Sequence, residues 1–172
     1  MASLLLVLVS IMKKHLLALI LLTPLTATAS GLHLSPEVKI GPYLGAGIQV
    51  GMTDVLDLDA VFFSYNRTAY QSSVYDEAID SFRIGGQKML GASKTHGFQA
   101  EVGYAKYDGT KDLFSPTRYK ADGISIGGAY VFQATENLAL RGGVDFNLFG
   151  WGNTHIPYDI SPTFNLGVIL NL

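Results

Sequence analysis

The chain has 172 residues, 48% hydrophobic and 15% charged, with a formal net charge of −2. That length suits one domain, and the near-neutral balance gives no general electrostatic footprint for nucleic acid. The absence of cysteine removes disulfides, thiolate metal sites and thiol nucleophiles together.

Met12-Lys13-Lys14-His15 is a basic start, residues 16–25 form an apolar core, and Ala27-Thr28-Ala29 is a small-residue cleavage site. This order predicts a secretory signal peptide over residues 1–29, with Met12 as the true start and cleavage after Ala29. A single membrane anchor over residues 4–25 is the alternative, but Lys13 and Lys14 interrupt it. Residues 30–172 then form the predicted domain. They contain no run of about 18 apolar residues, so any crossing of a membrane here needs strands rather than helices.

From about residue 38 onward, apolar residues fall on even numbers and small, polar or charged ones on odd numbers. A period of two predicts strands with two different faces. The first such stretch, 38–52, sets Val38, Ile40, Leu44, Ala46, Ile48 and Val50 against Lys39, Tyr43 and Gln49. Thr53-Asp54 reads as a tight turn. Residues 55–65 follow, with Leu56, Leu58, Ala60 and Phe62 opposite Asp57 and Asp59. Residues 67–77 are polar and rich in Tyr and Ser, and read as a long loop. The pattern resumes over 79–90, with Phe82 and Ile84 out and Arg83 and Gln87 in. Residues 91–94 turn the chain, and 95–107 alternate Phe98, Ala100, Val102 and Tyr104 with Gln99, Glu101 and Gly103. A second long loop is expected over 108–118. Residues 119–133 and 138–149 are the next two strands, joined by a turn at 134–137. A third long loop, 150–162, precedes a terminal strand carrying Phe164, Leu166, Val168, Leu170 and Leu172 on one face. Ile169 is the exception on its other face.

Short and long connections alternate, as in outer-membrane barrels with short periplasmic turns and longer extracellular loops. The pattern alone supplies seven strands. An even number is needed for both chain ends to lie in the periplasm, and only residues 32–40 remain for an eighth strand, with Gly41-Pro42 as its turn. Pro36 suits the start or edge of a strand. The predicted fold is therefore all-β, a single antiparallel up-and-down transmembrane barrel with lipid outside and a polar lumen.

Asp57, Asp59, Arg83, Glu101, Arg141 and Asp145 all fall on the inward parity and form the expected lumen charge network. A barrel of about eight strands is just wide enough to be filled by side chains, and buried charges need partners. An ion-paired plug is the structural reading, and a selectivity ring in a narrow pore is the functional one. The glycine pairs 85–86, 127–128 and 142–143 suit bends and close packing in a small lumen. Phe62, Tyr65, Tyr104, Tyr130, Phe132, Phe146 and Trp151 are expected to form two aromatic girdles at the headgroup level. His155, Asp159 and Ser161 share one loop, but three such residues within seven positions do not make a triad without a nucleophile–base contact. His33 and His96 read as interfacial or turn residues rather than metal ligands, and no metal-ligand spacing is present.

The alternating residues 162–172 resemble the terminal strand of the small outer-membrane β-barrel superfamily, which includes OmpA-type transmembrane domains and opacity-type proteins. Such strands usually end in Phe, and this one ends in Leu172. Gly41-Pro42-Tyr43-Leu44-Gly45 and Phe149-Gly150-Trp151 are similar to segments of those proteins. The resemblance covers residues 30–172. It implies residence in the bacterial outer membrane, contact with its lipids including lipopolysaccharide, and delivery by periplasmic chaperones to the barrel assembly machinery. A monomer without cofactors is expected. The superfamily includes envelope-stabilising proteins, adhesins, small-solute channels and lipid-modifying enzymes, and fold alone does not choose among them. The deacylase members' His-x-Ser-Asn tetrapeptide is absent here, as is the amphipathic helix of the palmitoyl-transferring members. The expectation is a non-enzymatic barrel with a structural or surface-interaction role, with a narrow channel for small solutes as the alternative and a lipid-modifying enzyme behind both.

Overall fold

The computed structural model describes residues 31–113 and 115–172, so the predicted signal peptide lies outside the described residues. Eight strands follow one another: β1 Leu32–Ile40, β2 Leu44–Val55, β3 Leu58–Gln71, β4 Tyr75–Leu90, β5 His96–Leu113, β6 Ser115–Gln133, β7 Leu138–Phe149 and β8 Ile160–Asn171. Each pairs antiparallel with the next, and β1 also pairs with β8, so the sheet closes into a barrel. Closure satisfies the backbone N–H and C=O groups that an open edge would leave unpaired, a requirement that is strict in hydrocarbon. Residues 32–40, expected from closure rather than from their own pattern, form the strand that does this. The break after Ile40 divides the first alternating stretch in two at Gly41-Pro42-Tyr43.

The outer wall is apolar. Val38, Ile48, Ile84, Val102, Ile124 and Leu166 all point away from the lumen and are exposed, while Ser35, Gln49, Ser64, Gln99, Ser125 and Asn165 are buried inside. This inverts the distribution of a water-soluble barrel and matches a wall that meets lipid. The end that holds the 56–57, 91–95 and 134–137 turns and the start of β1 is termed periplasmic, and the end that carries the extended hairpins β3–β4 and β5–β6 is termed extracellular, by the convention of outer-membrane barrels.

Strand β3 departs from the even-out rule. The chain turns at Leu56-Asp57, both at positive φ (55° and 61°), with Val55 opposite Leu58. The expected turn at Thr53-Asp54 is therefore displaced by three residues. A two-residue connection moves the next strand by one position relative to an odd-length one, and one position exchanges the two faces. Ala60, Phe62, Ser64, Asn66 and Thr68 point inward, while Phe63 and Arg67 point out. The four residues between Gln71 and Asp76 restore the original parity in β4.

Two of the three expected long loops are mostly ladder. Pairing of β3 with β4 continues to Gln71 opposite Asp76, and β5 with β6 to Leu113 opposite Ser115. Strands β4, β5 and β6 have 16, 18 and 19 residues, more than the roughly 9–11 that a tilted strand needs to cross a bilayer. The excess projects beyond the membrane as polar hairpin. Asp108 opposes Lys120 and Lys106 opposes Asp122, and opposite charges across a strand pair favour the ladder over a loop. Only the third connection is irregular, with a short 3-10 turn at Pro157–Asp159.

Candidate functional site

The middle of the lumen holds six charges that close into one ring of alternating sign. Glu37 and Lys39 come from β1, two residues apart and so on one face. Arg83 comes from β4, Glu101 from β5, and Arg141 and Asp145 from β7. Lys39 Nζ lies 2.8 Å from Glu37 Oε1 and also pairs with Asp145. Asp145 Oδ1 is 2.7 Å from Arg83 Nη1, and Arg83 Nε is 3.2 Å from Glu101 Oε2. Glu101 Oε1 accepts from Arg141 Nη2 at 3.1 Å, and Arg141 returns to Glu37 through Nη1. Three cations and three carboxylates leave no net charge, and all six side chains are at most 3% exposed. Gln49 Nε2 and Ser64 Oγ each donate to Glu101 at 2.7 Å. A buried carboxylate with this many donors is well compensated for lost hydration. At Gly127 a Cβ would lie 2.4 Å from Asp145 Oδ1 and 2.7 Å from Arg83 Nη1, so the ring needs glycine on that wall.

An apolar layer lies on each side of the ring. Toward the extracellular end, Tyr43, Ile79, Ala105, Tyr107, Phe149 and Ile156 pack together. Toward the periplasmic end, Met89, Val131, Ala139 and Ile169 do the same. Ile169, the one apolar residue on the polar side of the terminal strand, is the fully buried centre of that lower layer.

No family model matches the chain, and no curated protein does. Solved structures do. The N-terminal β-barrel domain of OprF from Pseudomonas aeruginosa aligns with a TM-score of 0.57 at 17% identity, covering 83% of this chain and 97% of that one. Neisserial surface protein A aligns at 0.56 and 16% identity, covering 83% and 95%. Ail, an outer membrane protein of Yersinia pestis, aligns at 0.63 and 11%, covering 83% and 97%. The chain has the fold of the small outer-membrane β-barrels.

In this barrel, Arg83, Glu101, Arg141 and Asp145 lie in the lumen. Asp57 and Asp59 do not. Asp57 is an exposed turn residue whose carbonyl accepts from Lys88. Asp59 sits at the periplasmic rim, accepting from the Met89 N–H at 2.8 Å and from Lys94 Nζ at 2.7 Å. The reversed parity of β3 removes both from the network. Their places are taken by Lys39, which stood on the polar face of the first alternating stretch, and by Glu37, which lies just before that stretch. His33 is a further correction, because it is fully buried in the lumen, stacked on Phe62 at 5.1 Å rather than lying at an interface.

The girdle changes in the same way. Tyr65, Phe82 and Tyr104 stand side by side in register on the outer wall near the extracellular end. Tyr130 and Phe132 pack with Phe98 and His96 near the periplasmic end. Phe146 is also on the outer wall. Phe62, expected in the girdle, is a lumen residue because of the β3 reversal, and Trp151 stands out on the third connection at 85% exposure rather than on the wall. Phe164, Leu166 and Val168 face outward on the closing strand, Leu170 is half-buried, and Leu172 is exposed just past the strand's end.

His155, Asp159 and Ser161 are not assembled into a relay. Asp159 accepts from the Gly152 N–H at 2.7 Å and from Thr154 Oγ1 at 2.7 Å. His155 Nε2 faces the Thr117 carbonyl at 3.3 Å, and Ser161 Oγ is buried with no hydrogen-bond partner among the described residues. The Asp159 carboxyl is held below the usual carboxylate range, first by the Thr154 hydroxyl and then by the Gly152 and Thr154 N–H groups. Its work is to lock the loop.

Proposed function

We propose that this protein is a non-enzymatic barrel of the bacterial outer membrane whose lumen is closed and whose role is structural or surface-interacting. The observation that carries the reading is the six-membered ion-pair ring between two apolar layers. A conducting pore needs charge lining a water-filled constriction, whereas here every charge of the ring has two opposite neighbours. The hairpins β3–β4 and β5–β6, extended past the length a bilayer requires, offer the surface through which such a protein meets its surroundings. Outer-membrane lipids, lipopolysaccharide among them, are the proposed neighbours of the apolar wall. Periplasmic chaperones and the barrel assembly machinery are the proposed folding partners, and the barrel works as a monomer.

A narrow channel for small solutes is the second reading. It is favoured by buried polar lumen groups with no hydrogen-bond partner among the described residues, including Ser35, Asn66, Ser161 and Asn165, which water along the wall would satisfy. Single-channel recording on the purified wild-type barrel separates the two. The closed reading expects a silent barrel, with leak appearing on Arg141→Ala. Reproducible, solute-selective conductance of the wild type rejects it in favour of the channel.

A further inference from the structure

Above the upper apolar layer, the extracellular mouth contains a buried carboxylate with no cationic partner among the described residues. Glu77 is 4% exposed. Tyr43 Oη donates to its Oε2 at 2.5 Å, and Tyr107 Oη donates to its Oε1. No basic side chain among the described residues pairs with it, in contrast to each carboxylate of the central ring. A buried carboxyl group whose hydrogen-bond partners among the described residues are tyrosine hydroxyls alone is an unusual arrangement, because buried acidic side chains are ordinarily paired with a cation.

The surroundings indicate what would complete it. Glu77 lines a cavity of about 410 Å³ together with Tyr43, Tyr70, Tyr75, His155 and Pro157. Tyr43 and Tyr70 meet edge to face at 5.9 Å, and Tyr75 meets His155 in the same manner at 5.9 Å. Aromatic faces beside one negative charge attract an organic cation through the ring quadrupole, as in aromatic cages for quaternary ammonium groups. One of these rings already takes a cation, since Lys111 Nζ lies 5.4 Å from the centre of Tyr75. Both carboxylate oxygens already accept a hydrogen bond. Beyond that one carboxylate the lining is mainly aromatic, so the site offers an acidic group and π-faces but not the several oxygen ligands that a metal ion needs. That favours a diffuse methylated ammonium over a small, strongly hydrated metal ion.

We infer that the extracellular mouth, built from Glu77, Tyr43, Tyr70 and Tyr75, is a binding site for a small organic ammonium ion. The cavity has the size of a ligand pocket, and it lies apart from the ring that closes the lumen. The site works whether or not the barrel conducts.

Choline and its uncharged carbon isostere, dimethylbutanol, test this by calorimetric titration of the full barrel in alkyl glucoside micelles, whose headgroups carry no ammonium. Saturable binding of choline is expected, with the isostere weaker by about tenfold or more. Glu77→Gln is expected to erase that discrimination. Tyr70→Leu leaves both hydrogen bonds to Glu77 in place and should still weaken choline by about threefold or more. It keeps the test valid if the Glu77 variant fails to fold. The same titration in phosphatidylglycerol and phosphatidylcholine nanodiscs identifies the source of the cation. Equal affinity in both assigns the site to a dissolved amine. Loss in phosphatidylcholine alone assigns it to the lipid headgroup. Equal binding of choline and the isostere, or no saturable choline binding in micelles and nanodiscs alike, overturns the inference.

Discussion

The central ring and the β5–β6 hairpin use the same side chains in opposite surroundings. In the hairpin, Arg118 Nη2 lies 2.6 Å from Asp108 Oδ2 and Lys120 Nζ 3.4 Å from it, with side-chain exposures of 60%, 42% and 67% for Arg118, Asp108 and Lys120. In the ring the distances are similar and the side chains are almost wholly buried. Short distances therefore say little by themselves. Exposed pairs trade water contacts for protein contacts at nearly equal free energy, whereas buried partners have no water to fall back on. The ring makes each of its members indispensable to the others, and the hairpin pairs mainly favour one register.

The sharpest way to break that comparison is Arg141→Ala. It leaves Glu37 and Glu101 each short of a cation in the lumen, and about 3–5 kcal/mol of stability should be lost. A urea titration of the barrel in lipid measures it. A loss under about 1 kcal/mol would mean that the ring is hydrated like the hairpin.

Next in size is a charge placed on the wall. Val144 faces outward and is 40% exposed, so Val144→Arg should cost about 2–4 kcal/mol near the bilayer midplane. Asn147, one strand-face away, is inside and bonded to Ser125 at 2.7 Å. Asn147→Ser should cost about 1 kcal/mol, the net worth of one hydrogen bond. Equal tolerance of the two substitutions would contradict a lipid-facing wall.

A smaller perturbation leaves every charge in place. Gly127→Ala puts a methyl group where Asp145 and Arg83 meet, and overpacking of this kind costs about 1–3 kcal/mol. Unfolding rates and the conductance of the reconstituted variant together show whether the ring has opened. Arg118→Ala in the exposed hairpin is expected to cost below about 1 kcal/mol, with a salt dependence that the ring does not share.

The smallest effect is acid loosening of the loop that ends at β8. Asp159 lies outside the membrane, and its carboxyl is depressed in the folded state by Thr154 and the Gly152 N–H. Its contribution is fully present above the unfolded value of about 3.9 and is lost as pH falls through the folded value. Amide exchange at Gly152 and Thr154 should therefore stay slow at pH values above about 4 and lose protection below that. Unchanged protection down to full protonation would show that the loop does not depend on this carboxylate.

Much of this barrel is legible in the even-numbered apolar series, because a wall between lipid and a polar lumen imposes strict alternation on every strand crossing it. Arg83, Glu101, Arg141 and Asp145 could be placed inward on that ground alone. The error at Asp57 and Asp59 has a definite cause. Phe62 and Phe63 are adjacent and equally apolar, so that part of β3 fits either register. The signal that decides lies further along, where Ser64, Asn66 and Thr68 alternate with Tyr65 and Arg67. The polar ends of β3–β4 and β5–β6 are not legible as strands because polar strands share their composition with loops, although Lys106 with Asp122 and Asp108 with Lys120 mark a hairpin once they are paired.

What the amino-acid order determines by itself is local: the period of two, and the parity within each uninterrupted strand. Those follow from the pleat and from the solvent on each side of the wall. Partner choice across the lumen is different in kind. Glu37 and Arg141 are 104 positions apart and Lys39 and Asp145 are 106 apart, and only closure of β1 onto β8 brings them together. The ring, the reversal in β3 and the tyrosine-held Glu77 all depend on turn lengths and strand registers set around the whole circuit. Tertiary structure alone decides these, because each is a contact between strands whose relative position no single segment specifies.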